Sequence, residues 1–316
     1  MSRHLVVGAG AIGSAVAVML ASRGESVTLA TRSASGPDLP GIDKVRVDAS
    51  QAEPLTDLAT GTAVVYNCAN PPYHRWAQDW PPIAAALLAA AERSGSVLAT
   101  ASNLYGYGPV SGPMTEDLPL LAPGTKGRVR AQMYVDALAA HDAGRVRMTE
   151  VRGSDYVGPG ALGHLADRVV PRVLAGKKAS VLGSADQLHT WTYTQDMART
   201  LVAAAGDERA WGRAWHAPSN PARTQREAID DLARVAGVPT IPVGTLPAAV
   251  LRGIGLVNPT IRELRETRYQ FEAPFVMDSS DAEQTFGFSP TPWDDVLADT
   301  LRSFGWTGAS STDVTR

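Results

Sequence analysis

The chain has 316 residues, of which 44% are hydrophobic, 19% charged and 6% aromatic, with a formal net charge of -3. That apolar content is enough for a core and excludes a disordered chain, while the slight acidic balance excludes nucleic-acid or membrane binding driven by overall charge. A single cysteine, Cys68, cannot close an internal disulfide, which points to a reducing cytoplasm. Only Lys44, Lys126, Lys177 and Lys178 among the 29 cationic residues are lysines, so an arginine is informative only where its position is special.

In chain order, residues 5–8 read as a short buried strand, 11–23 as a helix rich in small residues that Gly24 ends, and 26–31 as strand again. Residues 45–48, 63–69 and 96–101 continue as strands, with a clear helix at 83–93. Glycines at 8, 10 and 13 interrupt the apolar start, so it reads as strand, turn and helix rather than as a leader, and no window reaches about 18 apolar residues. Strands alternating with helices predict an α/β fold: a doubly wound parallel sheet of Rossmann type over residues 1–157, with later segments near 185–217 returning to it. From Gly158 onward proline and glycine cluster at 158–160, 218–221, 239–247 and 290–292, predicting a smaller mixed α/β substrate lobe over 158–308. Residues 309–316 read as a disordered tail. There is no internal repeat, heptad or zinc-ligand spacing, and the six histidines are scattered, so no metal is expected.

Gly8-Ala9-Gly10-Ala11-Ile12-Gly13 satisfies GxGxxG between a strand and a helix. Gly8 permits the tight turn, Gly10 lets backbone approach a pyrophosphate, and Gly13 allows close helix–strand packing; Ala11 and Ile12 open the helix whose N–H groups face that pyrophosphate. At the end of the second strand stand Thr31, Arg32 and Ser33 where an NAD-selective site would carry a carboxylate. A guanidinium with hydroxyls there predicts NADP over NAD, against the alternative of a solvated arginine.

Beyond the glycine turn, the order of motifs resembles the extended short-chain dehydrogenase/reductases, the NAD-dependent epimerase/dehydratase group. The matching residues are Asp48 after the third strand, Asn67-Cys68-Ala69 (with Asn70 following) after the fourth, Leu104-Tyr105-Gly106 after the fifth, and Thr115 to Pro119. They continue with Arg152 through Gly158-Pro159, Tyr193 to Ala198, Asp278, and Phe286 to Pro290. The resemblance implies an adenine contact at Asp48, cofactor contacts at Ala69 and Asn70, a small-molecule substrate and a homodimer formed by two helices of the first domain.

The departures from that pattern are specific. The group's Tyr-x-x-x-Lys pair aligns with Lys126 and Arg130, and its Ser/Thr partner with Ala101. Four residues apart on a helix, Lys126 and Arg130 share a face. Arg130 is expected to hold the nicotinamide ribose, and Lys126 to move protons if burial and neighbouring arginines lower its pKa. Tyr105 and Tyr107 are alternative proton donors, and Ser102 and Asn103 hydrogen-bond donors to a substrate oxygen. Tyr73, His74, Asp155, Tyr156 and His189 are the candidate substrate contacts. Asp155 stands where the group carries Asn, and His189 in the region of its diphosphate-binding Arg, which disfavours a nucleoside-diphosphate sugar. These residues predict an NADP-dependent oxidoreductase acting on a small to medium-sized, uncharged, non-nucleotide carbonyl or alcohol. Two alternatives stand beside it: a cofactor-assisted epimerase, isomerase or dehydratase, and a non-catalytic dinucleotide sensor.

Overall fold

The computed structural model describes residues 2–246, 263 and 265–308. The expected tail at 309–316 and the last residue of the 239–247 stretch lie outside the described residues. The first half alternates β1 (Arg3–Val7), α1 (Ala11–Ser22), β2 (Ser26–Thr31), β3 (Ile42–Arg46), α2 (Ala52–Ala59), β4 (Val64–Asn67), α3 (Trp76–Ser94), β5 (Val97–Asn103), α4 (Thr125–Asp142) and β6 (Arg147–Gly153). There follow β7 (Asp155–Val157), α5 (Val170–Leu174), β8 (Ala179–Val181), β9 (Leu188–His189), β10 (Trp191–Tyr193), α6 (Thr194–Gly206) and β11 (Arg213–His216). The last elements are β12 (Arg223–Thr224), α7 (Gln225–Ala236), β13 (Val243–Thr245), α8 (Ser280–Phe286) and α9 (Trp293–Ser303).

Seven parallel strands form the central sheet in the order β11-β6-β5-β4-β1-β2-β3. Side chains alternate across it. Val6, Val97, Ala99 and Ala101 pack toward α1 and α6, while Leu5, Val7, Val65 and Leu98 pack toward α2, α3 and α4. Because both faces are covered, the strands read as nearly continuous apolar runs. From β1 the chain winds outward to β2 and β3, then returns to β4 on the other side. The carboxyl ends of β1 and β4 therefore flank the switch point where an open parallel sheet presents a crevice.

The second half returns to this sheet through α6 and β11, which pairs with β6. Elsewhere it builds its own core from residues such as Val157, Val170, Trp191, Leu232, Trp293 and Leu297. Short pairs, β7 with β10, β8 with β13 and β9 with β12, brace it. Among the described residues no helix is long and apolar enough to cross a membrane.

Helix α3 begins at Trp76, not at residue 83, and runs through Pro81 and Pro82. Proline removes backbone donors and usually interrupts a helix. Here the carbonyls that lose partners belong to the exposed Ala77 and Gln78, while Trp76 and Trp80 are buried at 4% and 0% exposure. Burial of two indoles outweighs the two missing bonds.

Two histidines lie sealed in the fold. His164 Nε2 accepts from the Leu182 amide at 2.9 Å. His216 Nδ1 donates to the Asp278 carbonyl at 2.7 Å, so its Nε2 accepts from the Tyr107 hydroxyl at 2.8 Å. Burial pushes both down to about 4 from an ordinary 6.5. The unfolded chain therefore takes up protons that the folded chain refuses, and the stability this gives is lost as pH falls below about 6.5. Denaturant unfolding at about pH 5 should give a free energy lower than at about pH 7.5 by roughly 2 kcal/mol for each histidine. A flat profile across that window contradicts the buried neutral imidazoles.

Candidate active site

The glycine turn is fixed by backbone packing. Gly8 has φ +104°, and a Cβ there would lie 2.4 Å from the Cys68 carbonyl oxygen. A Cβ on Gly13 would lie 1.9 Å from the Gly8 carbonyl oxygen, so α1 can pack against β1 and β4 only without a side chain at that point. Gly10, in contrast, faces open space, with nothing within 4 Å of its Cβ position. It caps α1 without a side-chain hydrogen bond, and the first turn carries no acidic residue. The helix start thus presents free N–H donors and positive potential to the crevice, the arrangement that binds an anionic group.

Two joined cavities run along the carboxyl edge of the sheet, sharing Gly10, Cys68, Ala69, Asn70 and Leu162. The outer one, about 580 Å³, takes in Gly8, Thr31, Arg32, Ser33, Ser35 and Asp48. The inner one, about 280 Å³, takes in Ala11, Ile12, Tyr73, Ser102, Asn103, Tyr105, Arg130, Asp155 and Tyr156. Most of the residues expected at the site are thereby brought together. Gly13 sits behind the turn as packing.

Within the inner cavity three phenols converge. Tyr156 donates to the Ser102 carbonyl at 2.6 Å. Tyr73 donates to the Tyr105 hydroxyl at 3.4 Å and lies 3.1 Å from Thr267 Oγ1. Gln270, which lines the same cavity, donates its side-chain amide to the Thr267 carbonyl at 3.0 Å. Asn103 Oδ1 accepts from the Tyr105 amide at 3.1 Å, which fixes the turn that aims this ring. Burial raises the pKa of both Tyr73 and Tyr105, so each carries its proton at neutral pH. Arg130, 7% exposed, lies against the Trp76 and Trp80 rings at 4.6 and 4.3 Å. Its Nε and one terminal nitrogen have no hydrogen-bond partner among the described residues.

Four expected residues stand elsewhere. Lys126 is buried outside both cavities; its ammonium is paired with Glu263 and lies 3.2 Å from Glu266 Oε2, and its amide donates to Glu266 Oε1 at 2.5 Å. Burial lowers its pKa, but the two glutamates more than offset this and hold it above the ordinary value. The neutral, proton-moving lysine is therefore corrected to a charged ion-pair partner. Tyr107 lies beneath the site, accepting from Arg152 at 2.6 Å and donating to His216, so its hydroxyl is occupied by the core. His74 is exposed on a 3₁₀ turn, Tyr73–Arg75, off both cavities. His189 lies behind Asp155, with Nε2 2.8 Å from Asp155 Oδ2 and its ring stacked on Phe271.

Sequence reasoning missed Trp76, Gln270, Phe275 and Leu162, all of which line the inner cavity, and the Glu263–Glu266 pair. The i, i+4 spacing of Trp76 and Trp80 marked one helix face; the others carry no local signal.

Gly10→Val should cost less than about 1 kcal/mol of stability, because its side chain meets open space. It should weaken dinucleotide binding by at least about tenfold in calorimetry; unchanged affinity contradicts the site. Lys126→Met should lower the unfolding free energy by about 1–3 kcal/mol, since it strands two partly buried carboxylates. A neutral effect in denaturant unfolding would show that the ion pairs contribute nothing.

No curated protein sequence matches the chain. Solved structures do match its fold. MoeE5 in complex with UDP-glucuronic acid and NAD is 20% identical, with 96% of this chain and 99% of that one covered at a TM-score of 0.78. UDP-glucuronic acid 4-epimerase from Bacillus cereus, with UDP-glucuronic acid and NAD, is also 20% identical, with 96% and 99% covered at 0.77. dTDP-glucose 4,6-dehydratase from Bacillus anthracis, with NAD, is 19% identical, with 96% and 97% covered at 0.77. These structures contain NAD, which overturns the expectation of NADP. The geometry of this chain supplies a reason. Arg32 is exposed and its charge acts on Asp48 and Asp79. Arg75 is bonded to Asp79 at 2.7 and 2.8 Å. Two carboxylates thus offset two guanidiniums where a 2′-phosphate would need surplus positive charge. The sequence profile of the NAD dependent epimerase/dehydratase family matches residues 4–215, and the chain belongs to that family.

Proposed function

We propose that the protein is an NAD-dependent enzyme of the epimerase or dehydratase type, acting on a small substrate that is not a nucleotide sugar. The observation that carries this reading is the uncapped start of α1, opened by Gly10 and continuous with a cavity of phenols beside an unpaired guanidinium. The residues present fit the cofactor. The Gly8–Ile12 turn would hold its pyrophosphate, Ala69 and Asn70 its middle, and Asp48 with Thr31 and Ser33 its adenosine end. When bound, NAD supplies a reversible hydride acceptor, and the protein supplies orientation and proton handling.

For that handling, Tyr105 replaces the tyrosine missing from α4. Its hydroxyl, kept protonated by burial, donates to the substrate oxygen, and Tyr73, which donates to Tyr105 and lies 3.1 Å from Thr267 Oγ1, orients it. Ser102, 4% exposed and beside Ala101, is the hydroxyl that orients the same oxygen.

The test is a panel of small hydroxy and oxo compounds incubated with the protein and substoichiometric NAD. The expected outcome is isomerised or dehydrated product, detected by magnetic resonance, without accumulation of reduced cofactor. Reduced cofactor formed in step with product would make the protein a net oxidoreductase and sink this reading.

A further inference from the structure

The inner cavity has an unbalanced charge. Arg130 lies in the corner between two indoles set 84° apart, which offer π-faces but no oxygen acceptor. Glu150, the carboxylate whose charge it feels most, is buried and already bonded to Arg152 Nε at 2.7 Å. The cavity's own carboxylate, Asp155, is also engaged. His189 turns Nε2 to Asp155 Oδ2 at 2.8 Å and Nδ1 to the Gln270 carbonyl at 3.2 Å.

What is left over in this cavity is one guanidinium, 7% exposed, with two nitrogens that have no partner among the described residues. A buried charge without a partner is strongly unfavourable. A neutral diol would supply acceptors and leave that charge uncompensated; a carboxylate supplies both acceptors and charge, in the planar geometry that a guanidinium edge matches.

We propose that Arg130 receives a carboxylate carried by the substrate, so that the site takes small hydroxy or oxo acids. This replaces the uncharged substrate expected from the sequence, and it moves Arg130 from the cofactor ribose to the substrate. It rests on reading the cleft as the NAD site, which is checked separately by the NAD titration below. Asp155 engages His189 at 2.8 Å and is not bonded to Arg130 among the described residues. The phenols of Tyr73 and Tyr105 line the same space and leave the reacting hydroxyl or carbonyl of the acid within reach of a proton.

The experiment is calorimetric titration, first with NAD and then, on the NAD-saturated protein, with malonate and with malonamide, while the emission of Trp76 and Trp80 is followed. The expected result is saturable binding of malonate, with malonamide at least about tenfold weaker. In Arg130→Met, malonate affinity should fall at least about tenfold while NAD affinity changes by less than about threefold. Arg130→Lys, which keeps the charge without the fork, should lie between the two; with the wild-type contrast it decides the matter even if Arg130→Met fails to fold. Equal binding of malonate and malonamide, absence of both, or loss of NAD affinity in Arg130→Lys each overturns the assignment. Failure of wild-type protein to bind NAD would overturn the reading of the cleft instead.

Discussion

A guanidinium withdrawn from water must find a counter-charge or be destabilising, and the region around Arg130 is organised by that constraint. Two indoles on α3 hold the group from the side, so this helix extends back through Pro81 and Pro82 to Trp76. Below it, Glu150 is committed to Arg152, which donates to Tyr107, which donates to His216. That chain ties β6, β11 and the turn after β5 into one polar core beneath the cavity. These bonds commit the Glu150 carboxylate to Arg152, and among the described residues Arg130 is not hydrogen-bonded to it.

The same logic explains what became of the helix that carries Arg130. Lys126, at the start of that helix, does not enter the cleft. It turns to Glu263 and Glu266 and clamps the C-terminal segment against α4, with its ammonium also 4.7 Å from the Tyr73 ring. The phenols near the reacting space come from the 3₁₀ turn before α3 (Tyr73), the turn after β5 (Tyr105) and β7 (Tyr156).

Much of the fold was legible because it rests on local rules. The strand at Ser26–Thr31 and the helix starting at Ala11 are set by apolar period and by glycine. The roles of Gly8, Gly10 and Gly13 follow from the same spacing. What was illegible depends on contacts far apart in sequence. Glu266 meets Lys126 across 140 positions and Thr267 meets Tyr73 across 194, and no periodicity announces either pair. The cofactor preference failed for a related reason. Arg32 stood out beside β2, but Asp79, from α3, shares its surroundings only in the folded chain. Likewise His189 meets Asp155 across 34 positions, a contact that no local pattern announces.

These relations make a single account: an open helix terminus for a dinucleotide, phenols for a proton, and the Arg130 guanidinium, with two nitrogens unpartnered among the described residues, for the substrate's charge. The most direct measurement is a crystal structure grown with NAD and malonate together. The account predicts the pyrophosphate over the amides that follow Gly10 and the malonate on the edge of the Arg130 guanidinium, beside Tyr105. A dinucleotide whose ribose hydroxyls occupy Arg130, or malonate bound anywhere else, would contradict it.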